Sequence, residues 1–227
     1  MLTIRSSFLG GEIAVIIRKP EPAQCFLIDN LSWGDYEHIL KVFDDRRFPH
    51  TFADGVLEIM TLSQEHEWIK KILARFIENL SLEFKVRMTS SGSQTLKREL
   101  KERGLEPDES YYIANYAVVR GLKRINLNRH PPPDLVVEVD VTNKSLDRLE
   151  PYAKLGVPEI WQHDRKGIRF LNRISDSSYR TVKRSLAFPA VTSDDIGRFL
   201  AMQDKLDEFD LVNEFIAWAR TVAAKRT

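Results

Sequence analysis

Two acidic residues, Asp108 and Glu138, lie where a β-sheet would bury them and where carboxylates could do chemistry. Asp108 follows Pro107 at the start of an aromatic, β-prone run, and Glu138 lies inside the apolar run 135–141, which three prolines precede. Such a run is typical of a strand buried on both faces. Because a buried carboxylate is costly unless it is paired or bound to a cation, Glu138 is either the partner of an Arg or Lys, or a metal ligand.

The positions of these carboxylates favour a shared metal site. Each begins or occupies a predicted strand, and side chains of two neighbouring strands can reach the same edge of a sheet. Two carboxylates and several waters form the oxygen-rich ligand set that Mg²⁺ prefers. A nearby lysine could then orient a water molecule or stabilise the charge that develops on a phosphate.

The clearest local signal before these strands is a hairpin over 51–60. Asp54-Gly55 supplies the positive φ angles of a two-residue turn, and short β-prone runs flank it. On the second strand Glu58 shares a face with Val56 and Met60. The simpler interpretation of Glu58 is an exposed side chain on an edge hairpin.

Helical periodicity predicts the elements that surround the acidic strands. Helices are expected at about 33–45, at 64–83, from Ser145 through about Leu155, and from Ser193 onward. His66, in the first turn of the second helix, is interpreted as a surface or capping-region histidine. The charge-rich stretch 97–103 is interpreted as a solvated loop. The run 157–164 predicts a strand parallel to the 135–140 strand, connected through the preceding helix.

Composition limits the classes of protein to which the chain could belong. The 227 residues suffice for one sizeable α/β domain. The net charge of +1 gives the protein no overall positive potential that would attract nucleic acid. One cysteine, Cys25, excludes an internal disulfide framework and fits a cytoplasmic protein. No apolar run approaches a membrane span. The chain contains neither a phosphate-binding Gly-rich loop nor a G-x-S-x-G motif.

Several blocks of the sequence resemble a known family. GLEPDESYYI at 104–113, PDLVVEVD at 133–140, LDRL at 146–149 and YAKLGVPEIW at 152–161 occur in the order seen in Uma2-type proteins. These proteins form a restriction-endonuclease-like family that was once listed as a domain of unknown function. The similarity runs from about Trp33 to the C-terminal helices. It implies a mixed β-sheet flanked by helices and the PD-(D/E)xK nuclease fold.

The resemblance also implies roles for individual residues. Asp108 matches the aspartate of the Pro-Asp half-motif and Glu138 matches the acidic residue of the second half-motif, so both would bind Mg²⁺, or Mn²⁺ in its place. The superfamily's lysine should follow two residues after Glu138, where this chain has Asp140. Either the cation has moved, or Asp140 adds to the metal site. The candidates for a displaced lysine are Lys144, Lys154 and Lys97, and Glu58 is a candidate for an additional carboxylate.

The leading hypothesis is a magnesium-dependent endonuclease that cuts DNA and acts as a homodimer. A single domain is expected over 1–227, with a family-type core at about 30–190 and a helical part at about 193–223. Asp140 at the lysine position and the near-neutral charge favour an alternative, a catalytically silent module that binds nucleic acid or protein on the same fold. A third possibility is an interaction protein whose acidic strand is only structural.

Overall fold

The computed structural model describes residues 2–8, 11–17, 24–43, 48–140 and 147–225, and for 2–17 it describes the backbone alone. The strands are β1 (Leu2–Phe8), β2 (Gly11–Ile17), β3 (Cys25–Ile28), β4 (His50–Ala53), β5 (Val56–Met60), β6 (Thr89–Ser90), β7 (Leu96–Arg98), β8 (Arg103–Leu105), β9 (Glu109–Tyr112), β10 (Leu135–Asp140), β11 (Glu159–Asp164), β12 (Gly167–Arg173) and β13 (Tyr179–Val182). The α-helices are α1 (Trp33–Phe43), α2 (Gln64–Glu83), α3 (Tyr116–Val119), α4 (Leu149–Leu155), α5 (Ser193–Leu200) and α6 (Glu208–Ala224).

The central element is a six-stranded mixed sheet with the strand order β13-β12-β11-β10-β9-β6. Strand β10 pairs in parallel with β11 and antiparallel with β9. The predicted strand–helix–strand unit is therefore confirmed as β10-α4-β11. Because β10 has a neighbour on both edges and packing on both faces, its apolar residues are buried, as its sequence predicts.

A second sheet has five antiparallel strands in the order β3-β5-β4-β8-β7. The predicted hairpin forms its β4–β5 part, and Asp54 and Gly55 adopt φ angles of 49° and 76° in the turn. The stretch 97–103 is not a solvated loop, since it supplies β7, a short 3-10 turn and the start of β8. The charged side chains of this stretch mask its alternation; β7 pairs with β8, which in turn pairs with β4.

Helices cover one face of the mixed sheet. The apolar stripe of α2 packs on β10 and on α6, and α5 packs on β12. The main core between them contains Ile72, Phe76, Val137, Val139 and Phe215, all fully buried. None of the helices in the described ranges combines the length and the apolar character that a membrane span needs.

The opposite face of the mixed sheet packs on α4 and the five-stranded sheet. Val136, Tyr152 and Leu155 belong to one buried cluster with Leu105 of β8. Arg103 also links the two layers, because its guanidinium contacts Glu150 of α4 at 2.9 Å. Helix α4 is therefore fixed between the two sheets, directly over the face of β10 that carries Glu138. The predicted helix start at Ser145 lies outside the described residues.

Candidate active site between the two sheets

The pairing of β9 with β10 brings the two predicted metal ligands together. The antiparallel register ends at the Glu109–Val137 pair, so Asp108 lies just beyond the start of β9 and Glu138 is the next residue of β10. Both carboxylates are nearly inaccessible, with 5% and 2% of their surface exposed. The sequence places them 30 residues apart, and the fold makes them neighbours across two strands.

Asp108 is held by a backbone amide and by a histidine. The Val139 N–H donates to Asp108 Oδ2 at 2.7 Å, and His66 Nε2 lies 3.1 Å from the same oxygen. His66 is 5% exposed, so its interpretation as a surface or capping-region residue is wrong. Its backbone N–H does bond to the Ser63 cap, but the ring points inward because α2 packs over β10.

Both carboxylate oxygens of Glu138 contact residues around the start of α4. Arg148 Nη1 lies 2.8 Å from Oε2, and the Tyr152 hydroxyl donates to Oε1. Burial raises the pKa of Tyr152 well above its usual value, and the charge of Glu138 raises it further. The Tyr152 hydroxyl therefore keeps its proton and stays a donor to Glu138.

Arg148 is a buried cation at the centre of the site. It is 6% exposed, and its second terminal nitrogen donates to the Glu106 carbonyl oxygen. Burial acts to lower the pKa of the guanidinium, but Glu138 most strongly, and also Asp108 and Glu58, raise it above its ordinary value. Arg148 is therefore a permanent cation at neutral pH.

Glu58 reaches the same site from the five-stranded sheet. It is fully buried on β5, so its interpretation as an exposed hairpin residue is wrong. The Cys25 thiol of the neighbouring β3 lies 3.0 Å from Glu58 Oε1. The charge of Glu58 also raises the pKa of Arg148, although less than the charges of Glu138 and Asp108 do.

The lysines proposed to replace the missing cation lie elsewhere or outside the described residues. Lys154 Nζ is 2.7 Å from Glu150 Oε1, and Lys97 Nζ is 2.5 Å from Glu37 Oε1, so each described lysine pairs with another carboxylate. Lys144 falls within the undescribed residues. Asp140 ends β10 on the face of Glu138 and is only partly buried.

Arg148 is a functional candidate that the sequence pattern, which directs attention to lysines, does not identify. It stands four residues before Tyr152, a spacing that places two side chains on the same face of a helix. That spacing, with a buried carboxylate on the preceding strand, is the sequence signal that could have identified Arg148 and Tyr152 together. No comparable local signal exists for His66, whose contact with Asp108 depends on how α2 packs.

Comparison with known proteins identifies the family to which the chain belongs. The family model Uma2, described as "Putative restriction endonuclease", matches residues 33–188. The chain belongs to the Uma2 family. The predicted fold class, a mixed β-sheet flanked by helices with further helices at the C-terminus, is confirmed. No curated protein matches the chain significantly.

One solved structure similar to this Uma2 protein is that of a "putative nuclease belonging to DUF820" from Anabaena variabilis ATCC 29413. The two chains share 13% sequence identity, and the alignment has a TM-score of 0.47. It covers 81% of this chain and 97% of the other.

The donors at the Uma2 site fit a hard divalent cation. Asp108 and Glu138 supply carboxylate oxygens from adjacent strand positions, and carboxylates are the ligands that Mg²⁺ prefers. Within the described part of the chain no group of three or more His, Cys, Asp or Glu residues forms a complete metal cage. Mg²⁺ does not need one, because it is commonly held by one or two carboxylates and keeps several waters.

Proposed function

We propose that this Uma2 protein is a magnesium-dependent endonuclease that hydrolyses phosphodiester bonds of DNA. The observation that supports the proposal most strongly is that Asp108 bonds to the Val139 amide of β10, next to Glu138 and its buried cation Arg148. Carboxylates from neighbouring strands and one cation are the groups that a hydrolytic phosphodiesterase site requires.

Each residue of the site has a distinct role in this proposal. Asp108 and Glu138 hold the metal ion. His66 and the Val139 amide fix the orientation of Asp108, and Tyr152 fixes that of Glu138. When bound there, a magnesium ion supplies a more acidic water and stabilises negative charge on the phosphate.

Arg148 takes the place of the lysine that the family resemblance leads us to expect. Its charge is permanent, and its planar fork can contact a phosphate oxygen as well as a carboxylate. In this role the guanidinium offsets the charge of Glu138 before substrate binds and stabilises charge on the phosphate afterwards.

A second candidate function is a catalytically silent module on the nuclease fold. It is favoured by the contacts of Glu138, whose two oxygens already bond to Arg148 and Tyr152, and by Asp140 at the usual lysine position. Such a module would bind DNA in a salt-dependent manner and would not cleave it.

Cleavage of supercoiled and linear DNA tests the proposal. We expect the purified protein to cut DNA with Mg²⁺ or Mn²⁺ and not with EDTA, and Asp108→Asn and Glu138→Gln to lose at least a hundredfold in rate. Asp194→Asn, an exposed acidic residue of α5, is the matched control and should cleave normally. Cleavage that survives in either site variant would contradict the proposal, and binding without cleavage would favour the silent module. The predicted homodimer is tested by light scattering in solution.

A further inference from the structure

The basic loop, residues 113–133, joins β9, which begins directly after Asp108, to β10, which carries Glu138, and it has an unusual charge. It contains Arg120, Lys123, Arg124 and Arg129 and no acidic residue. The whole chain has 34 basic and 33 acidic residues, so the remainder has 30 against 33. The net charge of +1 is therefore the sum of +4 in the loop and −3 elsewhere, and the overall charge conceals a strongly basic segment.

Hydrogen bonds fix the basic loop to the body of the protein. At its base the Asp134 carboxylate accepts from the backbone N–H groups of Ile113 and Asn115, at 2.7 and 3.0 Å. Further along, Gln94 donates to the Ile125 carbonyl oxygen and Arg98 donates twice to that of Leu127. The loop is thus anchored through backbone N–H groups at its start and through backbone carbonyl oxygens further along.

The basic side chains of the loop face solvent. Arg120, Lys123 and Arg129 are exposed, and among the described residues none of the three forms a salt bridge with a carboxylate. Two apolar side chains between and beside them, Val118 and Leu122, are 54% and 42% exposed. A solvated surface would normally mix charges of both signs, and this one presents a single sign with exposed apolar groups.

The position of the basic loop relates it to the candidate site. Its last residue directly precedes Asp134 and β10, and Glu138 lies three residues beyond Leu135 on that strand. Counted from Pro133, the last residue of the loop, Glu138 is five residues along an extended chain, which is about 17 Å or roughly five nucleotide steps of a nucleic acid strand. A substrate backbone that extends about five nucleotides beyond the scissile bond is therefore long enough to reach the end of the loop.

We propose that the basic loop is a phosphate-binding surface, with Arg120, Lys123 and Arg129 contacting the backbone of a nucleic acid whose scissile bond lies at the Asp108–Glu138 site. This inference rests on the proposed function for the identity of the substrate. The preorganised backbone lowers the entropic cost of binding, and the exposed Val118 and Leu122 provide apolar contact with sugar or unstacked base. The loop supplies affinity that does not depend on sequence, and the carboxylate site supplies the chemistry.

The test compares DNA binding by two triple variants with the same change in charge. The first is Arg120→Ala, Lys123→Ala and Arg129→Ala. The control is Arg180→Ala, Arg184→Ala and Lys205→Ala, which removes three exposed basic residues from other surfaces. Affinity for a 20-base-pair duplex is measured against salt concentration with Ca²⁺ in place of Mg²⁺, and circular dichroism verifies that both variants fold.

We expect the loop variant to bind more weakly and to reduce the slope of log K against log salt by roughly 2 to 3, since each lost phosphate contact removes about 0.9. The control should keep nearly the native slope. Equal slopes in the two variants, changed or unchanged, would overturn the proposed surface.

Cleavage of the same duplex at saturating concentration separates this inference from the proposed function. If the loop variant loses slope and the native protein cannot cleave, the surface stands and the endonuclease assignment fails. If the native protein cleaves and the loop variant binds as the native protein does, the endonuclease assignment stands and the proposed surface fails. Absence of DNA binding by the native protein would overturn both.

Discussion

Replacement of Arg148 by alanine should destabilise the protein strongly, because it leaves the Glu138 carboxylate buried without its ion-pair partner. Arg148 and Glu138 are 6% and 2% exposed, and their charged groups are 2.8 Å apart. Removal of one partner of a buried pair costs about 3–5 kcal/mol, since the remaining charge keeps its desolvation penalty. For a chain of this length each kcal/mol corresponds to about 2–4 °C, so the melting temperature should fall by roughly 6–20 °C.

Two further variants separate the charge of Arg148 from its packing. Glu138→Gln combined with Arg148→Met removes both charges and should recover most of the lost stability, because a neutral pair carries no uncompensated charge. Arg169→Ala breaks a more exposed pair with Asp164, whose charged atoms are 2.7 Å apart, and should cost at most about 1 kcal/mol.

Chemical denaturation followed by circular dichroism measures these differences. The expected order of unfolding free energies places Arg148→Ala lowest, with the double variant and Arg169→Ala close to the native protein. Equal losses for Arg148→Ala and Arg169→Ala would refute the claim that burial makes the Arg148–Glu138 pair essential.

Two other predictions concern the buried cluster of β4, β8 and α1. Burial lowers the pKa of His50 from 6.5 to about 4, so as the pH falls the unfolded chain takes up a proton before the folded chain does. The free energy of unfolding should therefore be highest above about pH 6.5 and fall by up to about 3 kcal/mol toward pH 4. In denaturation measured against pH, His50→Gln should make this decline smaller. A Cβ on Gly104 would lie 2.2 Å from the Tyr36 hydroxyl, which bonds to His50 at 2.9 Å. Gly104→Ala should therefore lower the free energy of unfolding by about 1–3 kcal/mol, whereas the control Gly34→Ala should change it by less than about 1 kcal/mol. Equal melting temperatures for the two variants would contradict this packing.

Much of the fold follows from local sequence signals. The Asp54-Gly55 turn, the apolar stripe of α2 and the run that forms β10 each depend on neighbours within a few residues, and the structure forms all three. The element that sequence patterns miss, β8, has only three residues, and it forms because β4 and β7 pair with it on either side. Propensity cannot anticipate such an element, since long-range pairing determines it.

In the candidate site, too, some residues can be predicted from local sequence and others cannot. Asp108 and Glu138 are recognisable because each interrupts or begins a β-prone run in which a carboxylate needs a compensating partner. The partners are harder to predict. His66 contacts Asp108 from 42 positions away, and the contact of Arg148 with Glu138 depends on how α4 packs over β10.

Diffraction from a crystal soaked in Mn²⁺ tests the central claim most directly, because the anomalous signal locates the ion without any assay of activity. The account predicts one strong peak within coordination distance of carboxylate oxygens of both Asp108 and Glu138, and the loss of that peak in Glu138→Gln. A crystal that binds manganese only at other positions, with the Arg148–Glu138 pair unchanged, would contradict it.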